Sequence, residues 1–299
     1  MEVLIESVDH EARGVGRNDD KVVFVENALP QEIVGVDIRR RKPSYETGVS
    51  TYIRSPSAAR IKPRCVNFGV CGGCSFQHID AKTQLAIKQR VLEDALNRIG
   101  GVRPEQILSP ICGPQFNYRS RARFSSRYVI KKQKALVGFR EKGKSYVVDM
   151  TSCEVLPPHI SNLLPELRSL IQSFSIRERV PQIEVACGDD VNVLAFRILE
   201  DLSADDVSAL ELFGAKHDVV IFTQRGGPAT LTQLYPAEAV TLTYSISDMN
   251  LTFEFGLSEF TQVNSDINLT LVRRAMSMLD LKPTDRVADL FCGLGNFSL

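Results

Sequence analysis

The chain has 299 residues, and its 36 Lys plus Arg balance 36 Asp plus Glu to a formal net charge of zero. That length accommodates two or three domains with real cores, while the neutral balance excludes a chain that holds nucleic acid through global charge alone. No run approaches the roughly 20 apolar residues of a membrane span, and the start Met1-Glu2-Val3-Leu4-Ile5 lacks a signal peptide's basic and apolar regions, so a cytoplasmic protein without membrane contact is expected.

In chain order, residues 1–55 read as short strands separated by turns. Val3-Leu4-Ile5, Lys21-Val22-Val23-Phe24-Val25 and Ile33-Val34-Gly35-Val36-Asp37-Ile38 are strand-like, and Gly14 to Asp20 and Ala28 to Glu32 read as turns. This spacing predicts a small OB-like β-barrel, with the basic run Arg39-Arg40-Arg41-Lys42 attached. A cysteine-rich loop follows. Residues 81–99 carry Leu85, Ile87, Val91, Leu92, Ala95, Leu96 and Ile99 near helical spacing. From about 117 to 255 the pattern is mixed. Strands are expected at 146–148, 191–196, 219–222 and 251–255, and helices at 158–174 and 203–213. A further helix is expected at 265–280. Beyond it, Arg286 to Phe291 reads as a strand entering Cys292-Gly293-Leu294-Gly295-Asn296. Because the chain stops at Leu299, this looks like a βαβ unit opened and not closed, and a fragment is expected.

The seven cysteines of a reducing compartment point to metal, cluster or catalytic duties before disulfides. Cys65, Cys71 and Cys74 form C-x5-C-x2-C on a glycine-bearing loop, and Cys153 is the best-placed fourth ligand. Three readings stay open: a [4Fe–4S] cluster, a structural zinc, or reduced buried thiols. Cys112 and Cys187 lack such a context and read as core residues. At the other end, Gly293-Leu294-Gly295 after a strand is shorter than a dinucleotide fingerprint. It suits an adenosyl ligand lying against the backbone, with Asp289 at the strand end, or else a plain tight turn. Phe260-Thr261-Gln262-Val263-Asn264 by itself is a loop entering a helix, with Asn264 or Ser265 as N-cap. Arg119, Arg121, Arg123, Phe124, Arg127, Tyr128, Lys131, Lys132 and Lys134 make a second basic stretch with aromatics interleaved. It fits phosphates and unpaired bases, or a solvated strand face.

Taken together, Cys65-x5-Cys71-Gly72-Gly73-Cys74, Cys153, Phe260 to Asn264 and Asp289 to Phe297 resemble the RNA uracil-C5 methyltransferases, over essentially the whole chain. The resemblance implies a multidomain protein. Residues 1–55 would be a TRAM-like RNA-binding barrel. Residues 56–255 would be an α+β central domain with an iron–sulfur loop, its helix 81–99 a candidate to pack on the catalytic domain. Residues 256–299 would be the start of an α/β, Rossmann-like class I methyltransferase domain. It also implies that Cys65, Cys71, Cys74 and Cys153 hold a [4Fe–4S] cluster. Gln262, Phe291 and Asn296 would contact S-adenosylmethionine, with Gly293 and Gly295 shaping the turn beside Asp289.

A cluster together with a TRAM-like start favours the ribosomal branch, so the expected partner is 23S ribosomal RNA and the expected state a monomer. The RNA contacts would come from Arg39, Arg40, Arg41 and Lys42, and from Arg119, Arg121, Arg123, Arg127, Lys131 and Lys132. In this chemistry a thiolate adds to uracil C6 and C5 takes the methyl group, after the base has left its stack. The family's nucleophile and base are expected beyond the glycine-rich turn, so residues 1–299 alone are expected to be inactive. The competing reading is a non-catalytic RNA-binding protein with a structural metal. A thiol redox protein is disfavoured because Gly72-Gly73 lies in a loop rather than at a helix start.

Overall fold

A computed structural model describes residues 1–298, and it divides into two compact units, Met1–Pro110 and Ile111 onward. The first unit begins with a closed barrel of β1 (Glu2–Val8), β2 (Gly14–Asn18), β3 (Lys21–Glu26), β4 (Ile33–Arg41) and β5 (Tyr45–Ser55), in the order β1-β2-β3-β5-β4. Only β3 and β5 run parallel within it. Alternate residues point inward, as the two-residue strand period demands. Val3, Ile5, Val23, Val25, Val34 and Val36 therefore meet in one core, each contributing roughly 1.5–3 kcal/mol when fully buried.

The run Gly14 to Asp20, expected as a turn, is instead β2 plus a two-residue hairpin. Asp19 and Asp20 both take positive φ (47° and 65°), the pairing a type I′ turn needs. The glycines serve close strand approach. A Cβ on Gly16 would lie 2.4 Å from the Leu4 carbonyl oxygen.

Between the barrel and the first helix, Arg60 and Ile79 form an isolated bridge. Then α1 (Ala81–Arg98) starts on Asp80, whose side chain accepts the Thr83 N–H at 3.1 Å. This helix buries only Ile87, against Val8, Ala12, Leu29 and Ile79.

The second unit is built on a six-stranded sheet of β6 (Arg121–Val129), β7 (Lys134–Gly138), β8 (Gln182–Cys187), β9 (Asn192–Arg197), β10 (Val220–Gln224) and β11 (Leu231–Tyr235). The strand order is β11-β10-β9-β8-β6-β7. One face is covered by α3 (Leu163–Ser173), which follows the single turn α2 (Pro158–Ser161), and by α4 (Ala204–His217). Helix α3 presents Leu163, Leu164, Leu167, Leu170 and Ile171 at helical spacing, all buried. Helix α4 starts on a capping box in which Ser203 and Asp206 bond each other's backbone. Part of the opposite face packs against the hairpin β12 (Leu242–Ile246) and β13 (Leu251–Phe255), through Val193, Ala195, Val220, Leu242 and Phe255. Helix α5 (Ser265–Leu279) then lays Val272 against Ile246 and Phe253.

Two expected strands are absent among the described residues. Val147 makes one isolated bridge to Arg140, so Val147 and Val148 are apolar because they are buried, not because they enter a ladder. Arg286 to Phe291 is irregular chain ending in turns. A strand must find ladder partners for its N–H and C=O groups, and no described strand flanks this segment. Of the Rossmann-like start expected for residues 256–299, the helix is formed as α5, while the expected strand is replaced by irregular chain and a turn closed by Gly295 N–H donating to Cys292 O at 3.0 Å.

Candidate functional site

Where the hairpin and α5 meet the end of β8, the second unit has a cavity of about 530 Å³. Side chains with amide or imidazole groups line it from several elements: Asn117, His159 of α2, Asn192 of β9, Gln262, Asn264 and Asn268. His159 Nε2 and Asn192 Oδ1 are 3.1 Å apart. Asn264 caps α5, its Oδ1 accepting the Ile267 N–H at 3.1 Å, as expected from its position before the apolar run. Tyr244 stacks on Phe253 with ring centroids 4.8 Å apart, and burial raises its phenol pKa. Cys187, expected in the core, lines this cavity, and burial pushes its thiol pKa up to about 12. At neutral pH it is a thiol rather than a thiolate and so a poor nucleophile. Cys112, also expected in the core, is exposed.

The glycine-rich turn reaches this cavity through one residue. Asn296 Oδ1 accepts from Asn268 Nδ2 at 2.9 Å and from the Tyr244 hydroxyl at 3.2 Å, and Asn296 Nδ2 donates to Asn268 Oδ1 at 2.8 Å. Leu294 packs beside Ile246, Phe253 and Val272. Gly293 and Gly295 take positive φ (60° and 85°), where a side chain would be strained. Of the residues expected around the cofactor, Gln262 lines the cavity and Asn296 is tied to its wall. Gly295 is buried, whereas Asp289, Gly293 and Phe291 are exposed. Sequence reasoning missed Asn268 and Tyr244. A polar residue within an amphipathic helix reads as surface, and only its four-residue spacing from Asn264 and Val272 hints at an inward face.

Beside the cavity, on the uncovered part of the sheet, runs a groove lined by Arg119, Arg121, Arg123, Glu184, Arg197 and Phe260 among others. The alternation in β6 sends Ala122, Phe124, Ser126 and Tyr128 inward and leaves Arg123 and Arg127 exposed. These arginines are not equivalent. Arg121 donates to the backbone carbonyls of Leu257 and Glu259, and burial lowers its pKa, so it braces the loop leading to Gln262. Arg119 Nε donates to the Arg121 carbonyl at 3.0 Å. Arg123 pairs with Glu184 at 2.8 Å, while Arg127, Lys131 and Lys132 are exposed at the far end of the strand. On the barrel, Arg39 pairs with Asp37 at 2.9 Å and Arg41 lies 3.8 Å from Glu46. Arg39, Arg40 and Arg41 are exposed and Lys42 is half-buried.

In the cysteine loop, Cys65 N–H donates to Gln77 Oε1 at 3.1 Å, Cys71 N–H to Asn67 O at 2.9 Å, and Gly73 N–H to Cys71 Sγ at 3.4 Å. Cys71 is buried, and Cys65 and Cys74 are half-buried. In the second unit Cys153 is buried, with its N–H bonded to Ser161 Oγ at 2.8 Å. Among the described residues, no group of three or more His, Cys, Asp or Glu side chains is arranged to hold a metal ion. No helix of the described chain is long and apolar enough to cross a membrane.

The TRAM domain matches residues 1–49, and the family described as tRNA (Uracil-5-)-methyltransferase matches residues 80–299. The chain belongs to this family of RNA uracil-C5 methyltransferases. It is 52% identical over 297 residues to the 23S rRNA (uracil(1939)-C(5))-methyltransferase RlmD of Nitrosospira multiformis, covering 99% of this chain and 68% of that protein. It is 51% identical to the enzyme of the same name from Bordetella avium, covering 100% of this chain and 63% of the relative. For the Chromobacterium violaceum enzyme the identity is 48%, covering 99% and 59%. The chain thus spans about two thirds of the length of these relatives. Among solved structures, it resembles the Pyrococcus abyssi tRNA (uracil-54, C5)-methyltransferase in complex with S-adenosyl-L-homocysteine. The TM-score is 0.67 at 19% identity, over 99% of this chain and 69% of that one, a likeness of fold.

Proposed function

We propose that residues 1–299 form the RNA-binding and cofactor-turn part of an enzyme that transfers the methyl group of S-adenosylmethionine to uracil C5 in 23S ribosomal RNA. The observation that carries this reading is an amide-lined cavity that Gln262 lines directly and to whose lining residues Asn268 and Tyr244 the glycine-rich turn is bonded through Asn296. Relatives about half identical over almost the whole chain carry the 23S name. S-adenosylmethionine supplies an electrophilic methyl group. The chain's own residues do the binding and orienting. Side-chain amides at Asn117, Asn192 and Gln262 can hydrogen-bond both donors and acceptors of a base or an amino-acid tail. Arg123, Arg127, Lys131 and Lys132, together with the barrel's Arg39, Arg40, Arg41 and Lys42, offer charge to phosphates.

The methylation itself is read as covalent catalysis, with a cysteine thiolate adding to C6 so that C5 becomes nucleophilic. Neither Cys187, a thiol at neutral pH, nor Cys292, exposed in the cofactor turn, suits that role. Residues 1–299 by themselves are therefore expected to bind RNA without transferring methyl groups. The test is incubation with methyl-labelled S-adenosylmethionine and unmodified 23S rRNA, beside a protein spanning the relatives' full length. Label in uracil C5 only with the longer protein supports the reading; label with residues 1–299 alone overturns its catalytic part.

Cys65, Cys71 and Cys74 of the first unit are proposed as ligands of a [4Fe–4S] cluster; a fourth ligand at Cys153 is what the family resemblance implies. The support is the C-x5-C-x2-C spacing and the Gly73 N–H directed at Cys71 Sγ, the kind of backbone donor that stabilises a metal-bound sulfur. Iron and sulfide in anaerobically purified protein are the expected result. Stoichiometric zinc without iron would remove the cluster from the account.

A further inference from the structure

The amide pair between Asn268 and Asn296 has a consequence for how the cofactor site is assembled. Asn268 lies on the buried face of α5, one turn before Val272, and is 6% exposed. Asparagine inside a helix is less favourable than alanine or leucine by up to about 0.7 kcal/mol. A buried amide left without partners costs more still. Leucine at this position would extend the apolar stripe toward Ile246 and Phe253. The side-chain bonds of Asn268 all run to Asn296, one in each direction, so the amide's burial is compensated only while the turn is docked. Tyr244, held by its stack on Phe253, adds a second donor to Asn296 Oδ1.

We propose that Asn268 is a positioning residue of the cofactor site: its reciprocal amide pair fixes the Gly293–Asn296 turn against the wall of the cavity that Gln262 lines. The site is then built from two distant segments joined by one residue that itself need not touch the cofactor. The proposal rests on the reading of this cavity as the S-adenosylmethionine site, but its geometric half is measurable without any ligand. A buried polar pair of this kind specifies one register where apolar packing would tolerate several.

The experiment uses uniformly 15N-labelled residues 1–299, compared with Asn268→Ala and Asn268→Asp. In the parent protein, the Asn296 side-chain NH2 should exchange at least about tenfold more slowly than that of exposed Asn250. In Asn268→Ala that difference should vanish and backbone exchange across residues 292–297 should accelerate, while β12, β13 and α5 keep their protection. Asn268→Asp retains the acceptor for Asn296 Nδ2 and should fall between the two. Unchanged Asn296 exchange in Asn268→Ala would overturn the proposal, as would equal loss of protection throughout the hairpin and α5, which is what a merely structural role produces. Titration with S-adenosylhomocysteine forms a separate arm. If the parent binds it, Asn268→Ala should weaken binding about tenfold. If the parent does not bind, the cofactor reading fails for this chain while the exchange data still decide the role of Asn268.

Discussion

Replacing Arg60 by Met gives a sharp test of how the first unit is held together. Glu32 is fully buried, and its carboxylate accepts from Arg60 Nε at 2.6 Å, an Arg60 terminal nitrogen at 2.7 Å, Leu29 N–H at 2.8 Å and Ser57 N–H at 3.1 Å. Arg60 also donates to Asn27 O at 2.8 Å, and it is the residue whose backbone pairs with Ile79 below the cysteine loop. Breaking a buried ion pair from one side typically costs 3–5 kcal/mol. Here two backbone amides still serve the carboxylate and Arg60 is partly exposed, so about 2–3 kcal/mol is expected.

The pH dependence has a definite sign. Burial alone would raise the Glu32 pKa, but the Arg60 bonds and the backbone N–H groups outweigh it, and the net shift is downward. A depressed carboxylate contributes stability that is fully present above the unfolded value, near 4.3, and lost as pH falls through the folded value. Without Arg60, burial dominates and Glu32 should take up a proton more readily. The stability gap between parent and Arg60→Met should therefore be widest near neutral pH, begin to shrink as pH falls through the variant's raised Glu32 value, above the unfolded value of about 4.3, and finish shrinking through the parent's depressed value. Urea unfolding at several pH values measures it, followed by a signal from the barrel. A gap under about 0.5 kcal/mol at neutral pH, or one that widens on acidification, would mean that the Glu32–Arg60 pair does not hold the barrel in this way.

Other outcomes follow from the same geometry. Alkylation mapped by mass spectrometry near neutral pH should mark exposed Cys112 and Cys292 well before Cys187, whose thiol is held near pKa 12; early labelling of Cys187 would contradict its burial. Gly16→Ala should destabilise the barrel by about 1–3 kcal/mol, because the new Cβ would meet a backbone oxygen that cannot step aside; unfolding by urea checks it. Replacing Arg39, Arg40 and Arg41 with Ala should lower the slope of log affinity for rRNA fragments against log salt, by up to about 0.9 per lost phosphate contact. Arg121→Ala should instead loosen the 257–261 loop with little change in that slope, since its guanidinium is occupied by the Leu257 and Glu259 carbonyls.

Much of this architecture was legible wherever the pattern was local. Alternation in β1, β3 and β4 announced the barrel, and helical spacing announced α1 and α5 to within a residue or two. Strand β2 was hidden because its glycines, which permit close approach to β1, are also turn residues. Strand β6 was hidden behind its charge: Arg121-Ala122-Arg123-Phe124 reads as a basic stretch until its period of two is noticed. The strand expected at 286–291 shows the opposite error. Its apolar content is strand-like, but a strand exists only where neighbours complete its ladder, and residue type cannot supply them. The segments Phe260 to Asn264 and Asp289 to Phe297 read as motifs in the sequence, yet Asn268 did not, because a buried amide is defined by a partner 28 positions away. Cysteine spacing likewise suggests a ligand set without stating how the thiols are placed in space.

The role proposed for this chain is uracil-C5 methylation of 23S rRNA. The most direct test is to delete the gene encoding it in its own host and map 5-methyluridine across 23S rRNA and transfer RNA by mass spectrometry. The account predicts that methylation disappears from 23S rRNA alone and returns when the gene is restored. Intact 5-methyluridine throughout 23S rRNA, with loss from transfer RNA instead, would contradict it.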